Sequence, residues 1–210
     1  MKRLIFFLII IFLFTGYTNG QDDYLKKSDY KQYNHALAVF YRDFAPSMKD
    51  RLSDNPIVRF VPNYGCAVGG DIVSLEKDSL GNYKIIAHSY SFKTILGLYA
   101  IRTTIVENSF IISSELADLI KKLVISAINK DTNQSDTLKD VIVLEGQTYY
   151  FLVEQLNGYR AIGETLCPSK RSKMYELVMI FRELASIAKG KSYNLETFIK
   201  KINELNIKMN

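Results

Sequence analysis

The sequence predicts an α+β fold, with antiparallel β-hairpins and meanders packed against amphipathic helices. Three observations predict it. Two stretches rich in β-branched and aromatic residues, 57–112 and 141–164, are punctuated by turn residues and not by helices. Between and after them, apolar residues recur at helical spacing. A regular strand–helix–strand alternation is absent, which disfavours a doubly wound parallel sheet. The composition of the 210 residues is ordinary for a globular chain, 48% hydrophobic and 23% charged. That excludes a disordered chain, a collagen-like chain and a disulfide-dense miniprotein.

The first element is an address. Lys2 and Arg3 precede an unbroken apolar run from Leu4 through Phe14, and small or polar residues follow to Gly20. This is the plan of a secretory signal peptide. The run is shorter than the roughly 20 residues a spanning helix needs. Thr18 and Gly20 suit the small positions before a cleavage site, so residues 1–20 are expected to be removed and the product to be periplasmic or extracellular. No Cys lies at that point to carry a lipid. Loss of Lys2 and Arg3 lowers the formal net charge from +5 to +3. So weak a balance, with both signs mixed, argues against nucleic acid as a partner. No transmembrane segment is expected in the mature chain. Residues 21–210 are expected to form one domain, with 28–130 and 141–208 as sub-units of it.

Residues 21–27 are polar and are expected to fray. Tyr30, Tyr33, Leu37, Phe40, Tyr41 and Phe44 then mark one face of a first helix, with Ser28 as its cap and Pro46 beyond its end. Such a face packs on a sheet or meets a partner. Strands are expected at 57–61, ended by Pro62, and at 71–76 and 83–90, joined by the turn cluster 78–82. A long strand at 94–106 and a short one at 110–112 complete this segment. Leu116, Leu119, Ile120, Leu123, Val124, Ala127 and Ile128 form the clearest helical stripe, capped by Ser113 or Ser114. A surface loop is expected at 131–140. Strands at 141–144, 148–156 and 159–164 follow, with turns at Glu145-Gly146 and Asn157-Gly158, the latter suited to a two-residue type I′ hairpin. Met174 to Ala188 forms a helix with Gly190 just past its end, and a last helix runs from Asn194.

Gly146-Gln147-Thr148-Tyr149-Tyr150-Phe151, then Gly163-Glu164-Thr165-Leu166-Cys167-Pro168, then Glu176-Leu177-Val178 read as G-x-x-Y-x-F, G-x-T-x-x-P and E-L-V. This pattern resembles small secreted or periplasmic proteins of Gram-negative bacteria with no assigned activity. In that group an aromatic and a Ser often precede the proline, where Leu166 and Cys167 stand here. The resemblance implies an envelope or secreted product and transfers no catalytic residue.

Chemistry-bearing residues are few. Cys66 and Cys167 are the two cysteines. In an oxidising compartment they are disulfide candidates, closing a loop of about 100 residues worth at most ~4–5 kcal/mol; the alternative is two free thiols. Cys66 lies in the glycine-rich stretch 63–70, and His88 is the better placed of two histidines. A small cysteine-dependent hydrolase using Cys66 and His88 is therefore the alternative reading, because a thiol nucleophile needs an imidazole beside it. No G-x-S-x-G, H-E-x-x-H, C-x-x-C or Walker pattern occurs. No metal or cofactor is expected. Glu145 and Glu164 read as strand-end charges. Lys170, Arg171 and Lys173 near a helix start are candidate contacts for an anion or a partner. The 14 tyrosines, Tyr149, Tyr150 and Tyr159 among them, suit glycan or protein contacts. The leading expectation is an exported, non-catalytic binding protein of the bacterial envelope, its partner a protein or an envelope glycan.

Overall fold

The computed structural model describes residues 24–29, 31, 33–35, 38, 46–64, 69–95, 98–129, 147–155 and 158–210. Its centre is a seven-stranded sheet: β1 Lys26–Lys27, β2 Val58–Tyr64, β3 Gly69–Lys77, β4 Tyr83–Ile95, β5 Leu98–Ile112, β6 Gln147–Glu154 and β7 Arg160–Leu166. The order across the sheet is β1-β7-β6-β2-β3-β4-β5, and every neighbouring pair is antiparallel. This is the expected α+β architecture. Because β6 pairs with β2, the two strand-rich stretches build one sheet.

Alternation along the strands separates two faces. One carries Val58, Phe60, Val73, Leu75, Ile85, Ala87, Phe151 and Val153, all buried against α1 Ser114–Asn129 and α2 Lys173–Ala188. Phe60 stacks with Phe181 of α2 at 5.3 Å between ring centroids and meets Phe151 at 5.1 Å. A last helix, α3 Leu195–Met209, buries Phe198, Ile202, Leu205 and Met209 in the same core. The opposite face carries Val61, Ile72, Tyr90, Leu152 and Ile162. They pack with Tyr33, Met48 and Leu52 in a second, smaller cluster.

The helix ends follow from their sequences. Ser113 Oγ accepts from Leu116 N, Ser172 Oγ from Tyr175 N, and Asn194 Oδ1 from Thr197 N, each satisfying an amide that the first turn leaves orphaned. At the end of α2, Gly190 has φ +89°; its N–H reaches Ile187 O and the Lys191 N–H reaches Ser186 O. These two bonds form a Schellman motif. The β3–β4 turn closes as expected, with Asp78 Oδ1 accepting from Leu80 N and Asn82 N and with Gly81 at φ +88°.

Several expectations are corrected. Residues 24–27 are docked, not frayed. Leu25 is buried, its N–H bonds Ala127 O, and β1 pairs with Gly163 and Glu164 of β7. Gly163 makes this possible, because a Cβ there would stand 2.7 Å from Leu25 Cβ and 2.9 Å from Ile128 Cγ1. Pro62 does not end β2. The β2–β3 ladder stops at Phe60, while β2 stays paired with β6 as far as Tyr64. The Pro62 carbonyl accepts from Tyr90 Oη at 3.2 Å on the β3 side. The missing N–H of Pro62 points the same way, past the end of that ladder, where no bond is lost. The apolar run 94–106 is divided between β4, which ends at Ile95, and β5, which begins at Leu98 and continues unbroken through 110–112. The hairpin at Gly158 has three residues between the paired Gln155 and Tyr159. Gly158, at φ +72°, donates to Gln155 O, so a turn closed by a left-handed glycine replaces the two-residue type.

Of the first helix, Lys31, Tyr33, Asn34, His35 and Ala38 are described as helical, and Tyr33 N bonds Asp29 O. Tyr33 is buried on the sheet. Tyr30, Leu37, Phe40, Tyr41 and Phe44 lie outside the described residues, as do residues 1–20, the loop 131–140, the strand at 141–144 and the turn at Glu145-Gly146. Among the described residues no helix is long and apolar enough to cross a membrane.

Candidate functional site

On the face away from α1 and α2, polar residues occupy positions where the alternation would otherwise bury apolar ones. Arg59 on β2 pairs with Ser74 on β3; one row along, Ile72 on β3 pairs with His88 on β4, and His88 with Glu107 on β5. Cross-strand partners share a face, so Arg59, Ser74, Glu76, His88 and Glu107 all project to this side. Arg59, Ser74 and His88 are buried, His88 to 1% exposure, whereas Glu107 is half exposed. The Arg59 fork has two hydrogen-bond acceptors and one ion-pair neighbour. Nε donates to Ser74 Oγ at 3.0 Å, Nη2 donates to Ser53 O at 2.6 Å, and Nη2 lies 3.7 Å from Glu76 Oε1.

The cover over this face is the segment before β2. A 3-10 helix, Pro46–Arg51, places Met48 on the sheet, and Leu52 follows it. Arg59 ties the segment down at Ser53 O, and Arg160 of β7 ties it at Asp54 O and Asn55 Oδ1, both at 2.6 Å. On β5, Glu107, Ser109 and Ile111 are exposed, while Ile105 packs against the cluster that Met48 and Leu52 complete.

Nε2 of His88 lies 3.2 Å from Glu107 Oε2. An ionised Glu107 accepts, so Nε2 carries the proton and Nδ1 is a bare acceptor. That Nδ1 is buried and has no hydrogen-bond partner among the described residues. Burial is the largest influence on the imidazole and pushes its pKa down; Glu107 pulls it up, and the Arg59 and Arg51 charges push it down. Burial likewise raises the Glu76 carboxyl, against the pull of Arg59 and Ser74. The arrangement therefore offers a neutral, oriented imidazole beside a bound guanidinium.

His88 thus stands in the candidate site. Cys66, its proposed partner in the hydrolase reading, lies outside the described residues. Cys167 follows β7 at the far end of the sheet. It is exposed, free and held at φ +45°. Its N–H donates to Gln147 O and its Sγ accepts from Gln147 N at 3.1 Å. Lys170 and Arg171 are exposed. Lys173 Nζ donates to Tyr24 Oη at 3.2 Å and lies over that ring, while Ser172 caps α2. Tyr149 is buried against Phe60, with Arg182 donating to its hydroxyl at 2.9 Å; Tyr150 meets Tyr33 edge-on, and Tyr159 is exposed. Among the described residues no cluster of three or more His, Cys, Asp or Glu could hold a metal ion. Arg59, Ser74, Glu76 and Glu107 were not singled out from the sequence. The signal that finds Glu107 is the register of one hairpin, which sets it opposite His88.

No family model, curated protein or solved structure matches the chain.

Proposed function

We propose that this chain is an exported protein of the bacterial cell envelope that binds a partner without covalent chemistry, and that it does so on the sheet face carrying Arg59, His88 and Glu107. The observation that supports the binding face is the polar row itself. Burying a guanidinium and an imidazole costs stability unless they are fully paired, and His88 Nδ1 has no partner among the described residues. Sites that hold ligands retain such groups more often than purely structural sheet faces do. The signal-like N-terminus and the likeness to small secreted proteins support the location. An envelope glycan or a protein segment bearing hydrogen-bond donors fits a face whose open groups are acceptors.

The test has two parts. The full gene is expressed in a Gram-negative host and the periplasmic fraction is analysed by intact mass, where a chain starting at Gln21 is expected. A full-length mass in the cytoplasm overturns the location. The purified protein is then titrated with muropeptides from digested peptidoglycan while its thermal midpoint is followed. A rise that Glu107→Gln diminishes is expected; no rise, or one that this exposed substitution leaves unchanged, removes the glycan reading at this face.

A second reading has one observation in its favour. A histidine oriented by a carboxylate, with its other nitrogen bare, is the base and orienting member of a nucleophilic triad. A cysteine hydrolase using Cys66 and His88 requires that nitrogen to meet the thiol. Rapid alkylation of Cys66 in the native protein, lost in His88→Gln, would support this reading over the first.

A further inference from the structure

His88 is buried on the sheet face against which the cover packs. Ile72, opposite it on β3, and Tyr90, two residues along β4, pack with Met48 and Leu52 of that segment. The charged groups acting on the imidazole come from three sides: Glu107 from β5, Arg59 from β2 and Arg51 from the cover itself. Glu76 of β3 lies against Arg59 and also acts on Glu107, and Tyr33 of the N-terminal helical stretch packs on the same face. Glu107 occupies Nε2, so a second proton goes to Nδ1, which is buried without a partner among the described residues.

We propose that residues 46–55 form an acid-released cover: a proton on His88 Nδ1 sets a buried cation, with one N–H lacking an acceptor, under a segment that bears Arg51 and hangs from Arg59, and the segment lifts from the sheet. Burial, the unpaired N–H and the two arginines act in one direction, and Glu107 alone acts against them. An unpaired buried donor is costly, and like charges close together in a poorly hydrated site repel. Among the described residues its anchors are Met48, Leu52 and the bonds at Ser53, Asp54 and Asn55, fewer than hold the helical core, so this part of the chain opens more readily. Lifting it hydrates the imidazolium and exposes Val61, Ile72 and Tyr90. The device does not depend on what the face binds. The only other histidine, His35, is exposed and gains nothing from opening.

Hydrogen exchange followed by mass spectrometry tests this in the intact protein, at about pH 7.5 and about pH 5, with each rate divided by its intrinsic value at that pH. Peptides covering 46–57 are expected to lose about tenfold or more of their protection in acid, while peptides from α3 keep theirs. In His88→Gln, whose amide still donates to Glu107, the loss is expected to vanish. Arg51→Gln, at an exposed position, is expected to shrink it. Equal protection at both pH values in the wild type overturns the proposal, as does an undiminished loss in His88→Gln. If Glu76→Gln abolishes the loss and His88→Gln does not, Glu76 is the sensor and the proposal is wrong. Should His88→Gln not fold, Arg51→Gln decides alone: an unchanged loss there refutes the mechanism.

Discussion

Gly163→Ala isolates the contact that holds the N-terminal strand to the sheet. A methyl at 163 would sit 2.7 Å from Leu25 Cβ and 2.9 Å from Ile128 Cγ1, both far inside van der Waals contact. Neither neighbour retreats easily. Leu25 is tied through its own N–H to Ala127 O and through β1 to β7, and Ile128 sits in the last turns of α1. Overpacking of this kind costs about 1–3 kcal/mol. Leu25→Ala removes a buried side chain and costs about 2–5 kcal/mol. In the double variant the new methyl partly fills the space that Leu25 leaves. The combined loss is then expected to fall short of the sum of the two single losses by about 1 kcal/mol, within the range seen for residues in contact. The relief is partial because Ile128 still crowds the methyl. Urea unfolding of the four proteins, followed by far-ultraviolet circular dichroism, completes the cycle. Strict additivity would show that residue 163 and Leu25 do not press on each other. A Gly163→Ala protein as stable as the wild type would refute the close packing altogether.

Other expectations follow from the same structure. Phe60→Ala empties the space between β6 and Phe181 and should cost about 3–5 kcal/mol in the same unfolding assay; a loss below about 1 kcal/mol would contradict the aromatic core. Ser172→Ala and Asn194→Ala should each cost about 1 kcal/mol through the lost amide bonds, with Gly tolerated better than Ala at both sites. For the buried imidazole the folded pKa lies below the unfolded one. Its contribution to stability is therefore present above about pH 6.5 and lost as pH falls from there through the folded value. Glu76 has the opposite sign: its raised pKa penalises folding above that value, and the penalty fades as pH falls toward 4.5. Glu76→Gln should thus raise the neutral-pH thermal midpoint, and a lowered midpoint would show that the Arg59 pair outweighs burial. Alkylation under denaturing, non-reducing conditions counts the thiols by mass: two adducts are expected if Cys66, like Cys167, is free, and none if the two are bridged.

What the sequence made legible was local. The stripe at 116–128, a serine cap at 113 or 114, the last helix running from Asn194, the glycine at 190 and the turn at 78–82 all follow from residues within a few positions of one another, and the structure has them as expected. What was missed depends on distant partners. Leu25 is one apolar residue in a polar stretch, and its burial depends on a glycine far along the chain. Pro62 reads as a strand end unless it is known which neighbour its nitrogen faces. The run 94–106 hides a chain reversal because every residue in it suits a strand. The site behaved likewise. His88 was visible as one of two histidines, but Glu107, Arg59, Ser74 and Glu76 are ordinary surface types until the register of the sheet stacks them on one face. Lys173, clustered with Lys170 and Arg171 in sequence, meets Tyr24, a contact that no local pattern reveals.

The order of strands has a consequence for synthesis. The meander β2–β3–β4–β5 is complete once residue 112 has emerged, yet β6, which covers the other edge of β2, ends only at residue 154. At about 5–20 residues per second the intervening chain takes roughly 2–8 s to make. Through that interval the amides and carbonyls of Arg59, Val61 and Asn63 face outward with no strand beside them, and the bottom of the same sheet lacks α2. A nascent chain that stalls between those two points presents an open β-edge to its neighbours, so slow translation or export through this window should favour aggregation more than a pause at any later point.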